Sequence, residues 1–194
     1  MRGRLQRLKS QTPRCGPIRD MNGSTSRMYK FVAWTSFIII VAVTVYGIAE
    51  STYVTGEPIG KVWVDVYFPF PPYFAQPVTY FSVACVALFY SGLRLGEDRI
   101  SKWPSWLLML LQLFGFVVAF SAAYEVMYNF MVWGAAFSAC AVKQGLGFCN
   151  PDLMNALYPS QWNLVFATRA FSALFVISGY SVYYLRKFSS SSLV

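Results

Sequence analysis

Phe37-Ile38-Ile39-Ile40-Val41-Ala42-Val43 is the centre of an apolar run that extends over 31–49 without a charge, Glu50 being the first. As a helix, a run of that length crosses a hydrocarbon core of about 30 Å with every backbone N–H and C=O bonded internally. The run therefore sets the solvent as lipid. Composition agrees: 56% of the chain is hydrophobic, 19% aromatic and only 12% charged, whereas a soluble domain carries about a quarter charged residues.

Three more segments pass the same length test. The second, 77–95, opens on Pro77, a residue suited to a helix's first turn, and runs through Val83, Val86 and Leu88 to Leu95. The third opens behind Trp103-Pro104-Ser105-Trp106, whose indoles suit an interface, and covers 105–132. Its length allows tilting or projection beyond the bilayer. The fourth, 162–185, begins near Trp162, is interrupted only by Arg169, and ends at Tyr183-Tyr184-Leu185-Arg186-Lys187, an aromatic girdle with a positive stop. The expected fold is an all-α integral membrane protein, a bundle of four transmembrane helices within residues 31–188.

Charge placement orients it. The net charge of +8 could suggest nucleic acid, but the cations do not interleave with aromatics on one face. Eight precede the first span: Arg2, Arg4, Arg7, Lys9, Arg14, Arg19, Arg27 and Lys30. With both termini in the cytoplasm, the inner side also holds Arg94, Arg99, Lys102, Arg186 and Lys187, and the outer loops hold Lys61 and Lys143. Thirteen against two is the positive-inside pattern of a multi-pass cell-membrane protein. Residues 1–30 read as a basic, disordered tail, with Met1, Met21 or Met28 as possible starts, and 189–194 as a Ser-rich tail. Span one, with Gly47 and Ala49 ahead of Glu50, also has the ingredients of a cleaved signal, although its apolar run is longer than a usual signal core.

The first outer loop carries Lys61-Val62-Trp63-Val64-Asp65-Val66-Tyr67-Phe68, an alternation that reads as a short β-strand, followed by Pro69-Phe70-Pro71-Pro72-Tyr73-Phe74. Trp63, Tyr67, Phe68, Phe70, Tyr73 and Phe74 form a candidate surface for a partner subunit, a lipid or a quinone; the alternative is a hairpin re-entering the interface. The loop before span four holds Cys140 and Cys149 with Gly145 and Gly147 between them, so a disulfide is expected there, the alternative being two reduced thiols. Cys15 and Cys85 have no evident partner.

Glu125 and Arg169 are the charges inside spans, and both fall in the outer half by helix rise. They are expected to pair as a clamp between spans three and four; the functional alternative is a proton or cation site. Small residues at Gly115, Ala119 and Ala123 recur every four positions and offer a face for close helix packing.

The chain contains no histidine, so haem, copper, iron or zinc centres with histidine ligands, and histidine bases, are not expected within it. No C-x-x-C pair, P-loop, Rossmann glycine pattern or G-x-S-x-G elbow occurs either. No cofactor and no catalytic residue is expected. The function expected is that of a non-catalytic accessory, structural or assembly subunit of a larger membrane complex, with lipid, other membrane subunits or further copies of itself as partners. The alternative is a small oligomeric transporter or proton-coupled carrier using Glu125.

Overall fold

The computed structural model describes residues 23–68, 75–144 and 164–189. Helix α1 spans Gly23–Ala49 and continues as a π-helical turn over Glu50–Thr55, which ends at Gly56 in the left-handed region with φ 67°. A short α2 covers Ile59–Asp65, α3 Pro77–Leu95, α4 Glu97–Ile100, α5 Ser105–Gln144 and α6 Leu164–Ser189. Four helical stretches are long and apolar enough to cross a membrane: Ser24–Thr55, Pro77–Leu95, Ser105–Val142 and Leu164–Phe188. Pro77 occupies the first turn of α3, behind an extended Gln76.

The β-like segment expected over 61–68 is not formed as such. Residues Ile59–Asp65 are helical, and β pairing among the described residues is one antiparallel bridge between Phe68 and Ala75. Alternation presumes one buried face, whereas Val62, Trp63 and Val64 are all buried, because α2 sits against α1, α3 and α6 together. With apolar walls on several sides, a turn of helix satisfies its own backbone where an isolated strand would not. Pro58 ahead of Ile59, and the Lys61 to Glu57 bond at 2.7 Å, favour that turn.

The extensive helix pairings are α1 with α3, α3 with α6, and α6 with α5. The long helices therefore form a row in the order α1, α3, α6, α5, more open than a closed bundle. Buried positions recur every seven residues: Pro77, Ala84 and Ser91 on α3, Ser36 and Val43 on α1, and Leu108, Gly115, Ala122 and Asn129 on α5. Seven is the recurrence of left-handed helix pairs. It replaces the four-residue spacing expected on α5, where Ala119 and Ala123 are only half-buried flanks. Buried Ser91 and Ser178 satisfy their hydroxyls within their own helices, on the carbonyls of Ala87 and Leu174.

Two apolar clusters fasten the row at its ends. At the loop end, Val43, Val62, Trp63, Val64 and Val78 pack with Phe81 and Phe166. At the opposite, basic end, Ile100, Leu108, Tyr184 and Leu185 pack with Leu93 and Tyr180.

Candidate functional site

At the loop end, the Trp63 indole lies directly on Gly47 of α1, where a Cβ would overlap the ring. It also stacks obliquely on Phe81 at 4.7 Å and faces Phe166 at 5.8 Å. Trp63 is 6% exposed and Phe68 packs between Tyr46 and Tyr80. Neither side chain is presented for docking, which corrects the expectation of an outward aromatic surface at these two positions: burying large rings against the spans removes more apolar area from water than presenting them would. Tyr67 remains exposed and its hydroxyl accepts from Gln76 Nε2 at 3.1 Å. Phe70, Tyr73 and Phe74 lie outside the described residues, as do Cys149, Cys15, the basic tail up to residue 22 and the segment 190–194. On α2, the hydrogen bond from Lys61 to the Glu57 carboxylate pushes the ammonium above its ordinary value.

Arg169 does not pair with Glu125. Its Nη1 donates to Thr79 Oγ1 on α3 at 2.8 Å, and the ion pairs among the described residues are Lys61 with Glu57, Arg94 with Glu97, and Lys187 with Glu97. Gly115 of α5 faces Ser178 and Val182 of α6. Ten residues along α5 and ten back along antiparallel α6 bring Glu125 level with Thr168, so the two charges share a depth. They differ in azimuth: Arg169 turns toward α3, and Glu125 stays half-buried on α5. One turn beyond Glu125, Asn129 is buried with Nδ2 unpartnered.

Between α3 and α6 runs an open groove of about 670 Å³. Thr79, Ser82, Arg169 and Ser172 line its loop end, and Val83, Val86, Ala173, Val176 and Ile177 are among the apolar residues that follow. Tyr90 and Tyr180, rings 5.1 Å apart, stand at the far end.

Below that floor lies a cation-centred cluster that no sequence motif announced. The Arg94 guanidinium stands 5.6 Å from the Tyr90 ring and 5.4 Å from the Tyr184 ring, and Arg94 reaches Glu97 at 3.8 Å. Lys187 meets Glu97 from α6 at 3.2 Å, Tyr184 donates to the Leu93 carbonyl at 3.3 Å, and Tyr29 of α1 packs edge-on against Tyr90 at 6.0 Å. Helices α1, α3, α4 and α6 are tied at this end. The usable signal was the spacing of Tyr90 and Arg94, which stacks them on one face of α3, with Glu97 following just past the helix end.

Among the described residues no three of Cys, Asp and Glu gather into a metal-holding group. No family model, no curated protein and no solved structure matches the chain.

Proposed function

We propose that this chain is a non-catalytic accessory subunit that assembles with other proteins in a cell membrane, with both termini cytoplasmic. The observation that carries the reading is the open row of helices ending in α5. From Asn129, level with the start of α6, α5 runs on to Gln144, about 22 Å of helix beyond the reach of α6, with Phe130, Met131, Phe137 and Val142 exposed on it. Phe114, Phe120 and Met127 are exposed on the part of α5 that precedes it. A helix fixed on one side by a seven-residue seam and apolar on the other has the form of a packing element for a further transmembrane helix. The basic residues at the end carrying Arg94, Arg186 and Lys187 support its placement in the cytoplasm.

Purification from the native membrane in mild detergent tests this reading. Stoichiometric co-migration with different membrane subunits is the expected result; a lone monomer or a pure homo-oligomer would overturn it. Half-buried Glu125, outside the ion pairs among the described residues, and the Asn129 Nδ2, which has no hydrogen-bond partner among them, favour one second reading, a proton-coupled carrier. That reading requires a homo-oligomer and a proton-dependent flux in liposomes that Glu125→Gln abolishes. The Cys140 and Cys149 disulfide belongs to the same proposal, since the loop end then faces an oxidising compartment. Alkylation without reductant should leave both cysteines unmodified by intact mass, and two modified thiols would refute the bridge.

A further inference from the structure

A guanidinium placed among apolar helices is costly unless an anion or a dense set of acceptors meets it. Arg169 has five N–H donors, and among the described residues the hydrogen bond they make is to the Thr79 hydroxyl. No carboxylate reaches it among the described residues. Its position is equally specific. It lies five residues into α6 and Thr79 two residues into α3, about 8 Å and about 3 Å from the helix starts. In spans that start at the membrane surface, an arginine this close to the helix starts can extend its guanidinium to the headgroup phosphates.

The groove beneath Arg169 matches the rest of a lipid. From Thr79 to Tyr90 it runs eleven residues of α3, about 16 Å, or roughly half of a hydrocarbon core of about 30 Å. Its walls change from hydroxyl-bearing at the Arg169 end to aliphatic below, and Tyr90 and Tyr180 stand across its foot. A partner's transmembrane helix would need a channel running the whole span. A neutral quinone would leave the guanidinium without a counter-charge.

We propose that the α3/α6 groove binds one anionic phospholipid, its phosphate bidentate on Arg169 and one acyl chain lying along Val83, Val86 and Val176. This site does not depend on the accessory-subunit reading. The full chain, delipidated in mild detergent, is titrated with phosphatidylglycerol, phosphatidylcholine or inorganic phosphate, and followed by thermal unfolding and native mass spectrometry. Phosphatidylglycerol should raise Tm by about 4 °C or more and leave a one-lipid adduct; phosphatidylcholine and free phosphate should do neither.

Arg169→Gln should abolish the shift. Val176→Trp, a change at a half-exposed position in the groove, should abolish it while leaving the lipid-free Tm within about 2 °C. In native membranes, a photo-crosslinking residue at Val176 should yield an adduct of lipid mass. Equal shifts with both lipids, a shift undiminished in Val176→Trp, or a protein-sized adduct at Val176 would each overturn the proposal.

Discussion

Trp63 meets α1 at Gly47, where the missing side chain is what lets the indole reach the helix backbone. Gly92 of α3 has open space where its Cβ would stand, so the two glycines make a matched contrast within apolar helices. Gly92→Ala should be neutral or stabilising by about 0.5–1 kcal/mol, the usual gain in a helix interior. Gly47→Ala should lower the thermal midpoint, because ring or helix must move, and Trp63→Ala should cost about 3–5 kcal/mol by emptying the loop-end cluster. Equal tolerance of alanine at both glycines would contradict the packing. The lesson from Arg169 is about azimuth. Helix rise placed it and Glu125 in the same half of their spans, and counting from the Gly115–Ser178 contact brings them level, but the direction of a side chain around its helix depends on which neighbour each span packs against. Thr79 could have been considered as a partner, since it is a hydroxyl-bearing residue near the matching end of its span.

The helices themselves were legible from apolar length, proline and tryptophan placement: α3 has the bounds expected and α6 starts within two residues of them, whereas α1 begins at Gly23, inside the stretch read as a disordered tail, and α5 runs on past 132 to Gln144. The interfaces were less so. Gly115, Ala119 and Ala123 invited a four-residue reading, while burial follows Leu108, Gly115, Ala122 and Asn129, a recurrence visible only once a leucine and an asparagine are allowed in one seam with small residues. Volume added in that seam must push α5 from α6. Ala122→Leu, at a position 1% exposed, should destabilise by about 1–3 kcal/mol in thermal unfolding. Ala135→Leu, on an exposed face of the same helix, should lie within about 0.5 kcal/mol of the parent. A reversed order of the two losses would place the seam elsewhere. Alternation at 61–68 misled for a related reason: periodicity reports one buried face, and α2 is buried on several.

At the scale of the molecule, four membrane-length helices arranged in a row make a platform fastened at both ends, by the Trp63 cluster on one side and the Arg94–Glu97–Lys187 tie on the other. We propose that this platform crosses the bilayer with its basic end in the cytoplasm. Single cysteines at Thr55 and Asp98, both exposed and at opposite ends of the row, read that claim directly when an impermeant maleimide is applied to intact cells and scored above the parent's background. Labelling of Thr55→Cys from outside, with Asp98→Cys labelled only after permeabilisation, is the expected result; external labelling of Asp98→Cys in intact cells would contradict it.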